Sequence, residues 1–294
     1  MKNNRRFLFY ILVCLSFILS CAESKNNNSK SEESEEESTS RVKFTVIGDV
    51  PYTDEQREDL VSFIDAHNSK SKSEFLVHVG DIKAGKTPCD EDIYKDVSSI
   101  LKEVSVPTFI ILGDNEYNDC DDPDQGLAFW NTYFLHLNKN WDFKHEIAYQ
   151  ENRTENFSWS ENGVLFIGIN LVGSQVHDLE EWDTRLLDNA KWVEKLLKEH
   201  KASTKAAIVF AHANIVEGGP KKFEPFTRSF RAAAKTYGMP LLFVHGDGHS
   251  WIKDKPWGEK NILRVQVDNG AKHVQVTVNT TLDDPFVFDR NFLN

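Results

Sequence analysis

Four apolar runs of this chain end in the same dipeptide, Gly-Asp, and that repetition constrains the fold more than any other feature. The first reads Val42-Lys-Phe-Thr-Val-Ile-Gly48-Asp49 and continues into Val50-Pro51-Tyr52. The others run from Phe75 to Gly80-Asp81, from Thr108 to Gly113-Asp114 and from Leu241 to Gly246-Asp247. A fifth run, Ala206 to Ala211-His212, puts an imidazole where the others put a carboxylate. Short runs rich in Val, Ile, Phe and Thr that stop at turn residues read as buried strands. A lone Asp at such an end is ordinarily a turn or cap residue. Four of them in register with a His point to one shared site, because sites in open α/β sheets gather at the carboxyl ends of the strands.

With 294 residues, 40% of them hydrophobic, the chain can bury a sizeable core. No Pro/Ser/Gly-rich break follows residue 41, so residues 42–294 are expected to form one domain. The net charge is −12, part of it in the run Ser31 to Glu37. That balance argues against nucleic-acid binding, which needs Lys and Arg against phosphates. It leaves room for a small phosphate-containing substrate, because bound cations can reverse the local sign.

The N-terminus reads as a targeting segment. Lys2, Arg5 and Arg6 precede a short apolar stretch, Phe7 to Leu19, which fits a signal peptide over residues 1–20. Ile18-Leu19-Ser20-Cys21 resembles a bacterial lipobox, which implies cleavage before Cys21 and acylation of its thiol. An ordinary signal peptide or an uncleaved anchor is the alternative. Residues 21–41 carry Ser, Asn, Lys and Glu and read as a disordered tether. The expectation is a lipoprotein of the bacterial cell envelope, at the outer membrane or cell surface, that meets the membrane only through its lipid. Export leaves Cys89 and Cys120 as a disulfide candidate between two loops that leave neighbouring strands, with two buried free thiols as the alternative.

Taken in order, Thr53-Asp-Glu-Gln56 looks like a capping box before a helix with Leu60, Phe63, Ile64 and His67 on one stripe. A second helix runs through Ile93, Val97, Ile100 and Leu101, and an aromatic-rich helix is expected from Leu127 to Leu137. Between Glu146 and Val172 the period becomes two, with a hairpin at Ser160-Glu-Asn-Gly163. Leu179 to His200 is a long amphipathic helix, and alternating strands occupy Leu263–Val267 and His273–Val278. Two sheets flanked by helices, an α/β/β/α sandwich, fit this order.

Five separated motifs then resemble the calcineurin-like metallophosphoesterase family. That family is marked by D-x-H, G-D-x-x-x-G, G-N-H-D/E, a lone His and G-H-x-H. Here the second is complete as Gly80-Asp81-Ile-Lys-Ala-Gly85, and the lone His is His212. The first reads Asp49-Val50-Pro51, the third Gly113-Asp114-Asn115-Glu116 and the fifth Gly246-Asp247-Gly248-His249. The resemblance implies a four-layer α/β/β/α fold and two divalent metal ions, with Asp81 bridging. Asp49 and His249 would complete the first site; Asp114, His212 and Asp247 would complete the second. It also implies hydrolysis of a small phosphomonoester or phosphodiester by a metal-bound hydroxide.

Extra Asp in the second set favours Mn²⁺ first, then Mg²⁺ or Ca²⁺, relative to Zn²⁺ or Fe. Pro51 cannot ligate, and Tyr52 or water is expected in its place. Asn115 stands where the family has its acid His; it cannot donate a proton but can donate a hydrogen bond to a phosphoryl oxygen, a catalytic role beside Asp81. Tyr52, Glu116 and His245 are expected just behind the ligands, and His78 in the core. Lys83 and Lys86 read either as solvated loop residues or as groups that meet a phosphate. The alternative function is a catalytically inactive binding or adhesion lipoprotein on the same fold.

Overall fold

The computed structural model describes residues 40–294, and within them each Gly-Asp run forms a strand. The signal peptide, Cys21 and all but the end of the tether lie outside the described residues; the first strand begins at Arg41. In chain order the elements are β1 (Arg41–Ile47), α1 (Asp54–Lys70), β2 (Phe75–His78), α2 (Glu91–Lys102), β3 (Thr108–Ile110), α3 (Pro123–Tyr133), β4 (Ala148–Gln150), β5 (Arg153–Glu161) and β6 (Val164–Gly168). They continue with α4 (Leu179–His200), β7 (Ala206–Phe210), α5 (Glu224–Tyr237), β8 (Leu241–His245), β9 (Ile252–Asp254), β10 (Ile262–Gln266), β11 (Val274–Asn279) and β12 (Phe286–Asp289).

Two sheets result, ordered β12-β11-β1-β2-β3 and β4-β5-β6-β7-β8-β10-β9. Strands β1, β2 and β3 run parallel, as do β6, β7, β8 and β10; the flanking strands are antiparallel. Side-chain alternation assigns the layers. Phe44, Val77 and Phe109 of the first sheet pack with Phe166, Phe210 and Val244 of the second in one core between the sheets. On the outer face of the first sheet, Ile47, Leu76 and Ile110 meet Leu60, Ile64, Val97, Leu101 and Trp130 of α1, α2 and α3. On the outer face of the second, Ile167, Val209 and Phe243 meet Leu186, Val193, Phe226 and Phe230 of α4 and α5. The fold is the expected α/β/β/α sandwich.

Local signals explain most boundaries. Thr53 caps α1 by accepting from Gln56 N at 3.2 Å, while the Gln56 side chain accepts from Tyr52 N at 2.8 Å, one residue before the usual capping-box partner. Asn162 and Gly163 both have positive φ, 49° and 76°, the turn that fits a tight hairpin between β5 and β6. The aromatic helix differs from expectation. It starts at Pro123, with Asp122 accepting from Gln125 N, and stops at Tyr133 ahead of left-handed His136. Pro at the first helical position with an Asp cap before it is a start signal that outweighs the aromatic periodicity. Among the described residues no helix is long and apolar enough to cross a membrane.

Candidate metal centre

The parallel strands of both sheets end on one edge, and the turns that follow carry the expected ligands. Asp49, Asp81, Asp247 and His249 all adopt left-handed backbone, with φ of 53°, 64°, 64° and 59°. Non-Gly residues reach that region at an energetic cost, and such conformations cluster at functional sites. Main-chain bonds hold the turns in place: Asp49 N donates to Gly80 O and Val50 N to Asp81 O, both at 2.9 Å. Glycine at two of these ends is a steric requirement. A methyl on Gly113 would collide with the backbone N of Asp81, and one on Gly246 with the Asp49 carboxylate.

Two groups of donor atoms form there, Asp49 with Asp81 and His249, and Asp81 with Asp114 and His212; within each group the atoms lie within 4.8 Å of one another. Asp81 belongs to both. Its Oδ1 lies 3.2 Å from His212 Nε2, and its Oδ2 lies 2.7 Å from the Tyr52 hydroxyl beside the first group. His212 Nε2 is 3.6 Å from Asp114 Oδ1, and His249 Nε2 is 3.3 Å from Asp49 Oδ1. Asp247 joins neither close group. Its carboxylate accepts from Asn214 N at 2.9 Å, so it stands at the edge of the second group. An open cleft of about 600 Å³ over these residues is bounded further out by Lys86, Asp119, Ser174 and Gln175.

Residues 42–251 match the family pattern of the calcineurin-like phosphoesterases. The chain belongs to that family. Its fold resembles a dimetal phosphatase from Danio rerio at a TM-score of 0.55, with 11% identity over 80% of this chain and 92% of that one. It also resembles GAP50, the anchor in the inner membrane complex of Plasmodium, at 0.51, with 11% identity over 85% and 88% of the two chains. A 5'-nucleotidase from Candida albicans gives 0.52, with 13% identity over 84% of this chain and 50% of that one. At such identities these overlays speak for the fold. Among curated proteins, none matches the sequence.

The residues of this calcineurin-like phosphoesterase fit the pair of cations that the family implies. His212 Nδ1 lies 2.8 Å from the carbonyl of Val79 and donates to it, which turns Nε2 toward Asp81 and Asp114. That Nε2 is buried and has no hydrogen-bond partner of suitable direction. Charge points the same way. Burial pushes the Asp81 carboxyl well above the usual carboxylate range, reinforced by Asp114, Glu116 and Asp49. Burial also raises Asp247. At His212 burial works against the charged ring, yet Asp81 and Asp114 outweigh it and hold the imidazole well above its ordinary value. The cluster holds more negative charge than its own cations balance, a condition that divalent ions relieve.

The supporting groups sort by their partners. Glu116, fully buried, accepts from Gly113 N at 2.6 Å and from Asp81 N and Ile82 N at 3.2 Å, and so ties the ends of β2 and β3 together rather than capping a helix. His245 donates from Nδ1 to Gly246 O, and His78 from Nε2 to Val50 O, each at 2.8 Å. Burial pushes both rings down to about 4, so they are neutral scaffold groups. Cys89 and Cys120 form a disulfide, which joins the loops after β2 and β3.

Two expectations change. Asn115 Nδ2 donates to Asp81 Oδ2 at 2.5 Å and to Lys83 O at 2.9 Å, so both amide hydrogens hold the site together and neither is free for a phosphoryl oxygen. Lys83 is buried, with Nζ on the carbonyls of Thr87 and Ala84, leaving Lys86 as the lysine that faces the cleft. Sequence reasoning also passed over Gly173, Asn118 and Asn214. Asn118 Nδ2 donates to Gly173 O at 2.8 Å and Gln175 O at 3.2 Å, fixing the loop after β6 as a cleft wall. Gly173 ends an apolar run as the other glycines do, but no carboxylate follows it.

Proposed function

We propose that this chain is a metal-dependent hydrolase of small phosphomonoesters or phosphodiesters. In this reading Asp49, Asp81 and His249 hold one divalent cation, Asp81, Asp114 and His212 hold the other, and Asp247 supports the second. The observation that carries it is the division of Asp81, one oxygen facing each donor group, which is the arrangement a bridging carboxylate needs. Two cations supply charge neutralisation, orientation of the phosphoryl group and an activated water. The protein's own part is positional. Glu116 and Asn115 fix Asp81, the Val79 carbonyl fixes the His212 tautomer, and Asn118 holds the loop that forms one wall of the cleft. Lys86 at the cleft draws in an anionic substrate. The donor set, four carboxylates against two imidazoles, favours Mn²⁺ over Zn²⁺.

A second reading is a non-catalytic binding protein on the same fold. It is favoured by Pro51 in a ligand slot and by the full occupation of the Asn115 amide, and one structural neighbour is itself described as an anchor. Hydrolysis of aryl phosphomonoesters and phosphodiesters separates the two. The metal-stripped protein, refilled with Mn²⁺, is expected to turn over one of these substrates, and Asp81→Asn to abolish it. Two bound ions without turnover of any phosphoester would favour the binding protein. The reading extends to residues 1–41: acylation at Cys21 would hold the domain at a bacterial envelope, and Cys21→Ser is expected to release it from membranes on fractionation.

A further inference from the structure

We infer that the Tyr52 hydroxyl oxygen is a direct ligand of the first cation, in the place that Pro51 cannot fill. The inference rests on the two-cation reading and adds a ligand to it. The hydroxyl lies 3.1 Å from Asp49 Oδ1, 2.7 Å from Asp81 Oδ2 and 3.1 Å from His249 Nε2. Those three atoms are the first donor group, and a single phenolic oxygen sits against all of them. Protein O and N ligands bind Zn²⁺ or Mg²⁺ at about 2.0–2.2 Å, so adjacent ligands around one ion stand about 3 Å apart. The three distances to Tyr52, and the 3.3 Å between His249 Nε2 and Asp49 Oδ1, are spacings of that kind.

Hydrogen bonding accounts for only part of the arrangement. The phenol can accept from His249, but it has one hydrogen to share between Asp49 Oδ1 and Asp81 Oδ2, so one of these two close oxygen–oxygen contacts has no proton from it. Asn115 Nδ2 also approaches the same oxygen, at 3.4 Å. A cation among these atoms satisfies all of them at once, and the hydroxyl gives its proton to solvent when it ligates. The residue is also held for the role. Its backbone N–H is fixed by Gln56, and its ring packs edge-on against His249 at 5.4 Å. Without Tyr52 the first group offers three protein atoms, one on the partly exposed His249; with it the group offers four.

Metal loading of the full chain tests this by two readouts that do not need turnover. Calorimetric titration of wild type with Mn²⁺ is expected to show two ions per chain, and Tyr52→Phe, which loses only the oxygen, to bind one of them at least tenfold more weakly. Because a hydroxyl that merely oriented the ligands would also cost affinity, the second readout is iron(III). An iron(III)-loaded protein with a phenolate bound to the metal absorbs in the visible range. That band is expected in wild type and in Tyr133→Phe, whose hydroxyl lies away from the cleft on Glu91, and not in Tyr52→Phe. A band that survives Tyr52→Phe, or equal Mn²⁺ affinities in wild type and Tyr52→Phe, overturns the inference while leaving two cations in place. Absence of any bound metal in wild type overturns the site and the inference together.

Discussion

Replacing Gly173 by Ala is expected to disable the second cation site while the fold survives. A methyl there would lie 2.7 Å from Asp114 Oδ2, 3.2 Å from Asp247 Oδ2 and 3.7 Å from Ala213 Cβ. Ordinary contact begins at 3.4 Å, so the Asp114 carboxylate, whose other oxygen, Oδ1, lies 3.6 Å from His212, has to retreat by about 0.7 Å. The Gly173 backbone is not left-handed, so alanine is tolerated there, and the cost to folding is local overpacking of about 1–3 kcal/mol. A displacement approaching 1 Å at a reacting centre costs up to about 10²-fold, so kcat/KM should fall about 10- to 100-fold. Calorimetry with Mn²⁺ should show one ion weakened and the Asp49 site unchanged, and a circular dichroism melt should show a folded protein. Both Mn²⁺ affinities and turnover within twofold of wild type, in a folded variant, would refute the steric reasoning.

Chelation should lower Tm, and saturating Mn²⁺ at about 100 times Kd should restore about 2.7 kcal/mol, a difference that Asp81→Asn abolishes in differential scanning calorimetry. Reducing the Cys89–Cys120 disulfide, which closes a separation of 31 residues, should cost about 3–4 kcal/mol in urea unfolding. Far from the cleft, burial and the neighbouring Glu74 push the Glu161 carboxyl from 4.5 up to about 7; Lys144, the Trp159 indole and His145, 2.9 Å away, face it too. Its stabilisation is fully present below pH 4.5 and is lost as pH rises to about 7, by about 1–3 kcal/mol. Glu161→Gln should flatten that stretch of the stability curve, and an unchanged slope would count against the shift.

Why the ligands could be read in sequence and their supports could not has a physical basis. A buried parallel strand writes itself as a short β-branched run, and the turn that must follow it needs Gly and tolerates Asp, so Asp49, Asp81, Asp114 and Asp247 advertise both the strand and its end. The long stripe of α4 was equally plain, from Leu179 to His200. Edge strands β9 and β12 are three and four residues long and partly exposed, too short for a period to register. Asn115 was assigned to substrate because its motif position suggested it; only the path of the chain brings the Asp81 carboxylate and the Lys83 carbonyl to its amide. Asn118, Asn214 and Gly173 act through backbone groups remote in sequence, and such contacts leave no local pattern.

The division of the ligands between the sheets has a mechanical consequence. Asp49, Asp81 and Asp114 leave one sheet, while His212, Asp247 and His249 leave the other, and Asp247 N already donates to Asp49 across a separation of 198 residues. Ions in the cleft would act as rivets through both plates of the sandwich, closing loops far longer than the one the disulfide closes. Loop-closure entropy grows slowly with length, so each rivet restrains nearly the whole domain for little more than the cost of restraining a short segment. Occupancy of the cleft should therefore be felt as slower hydrogen exchange along the edge where the two sheets meet, including strands that contribute no ligand.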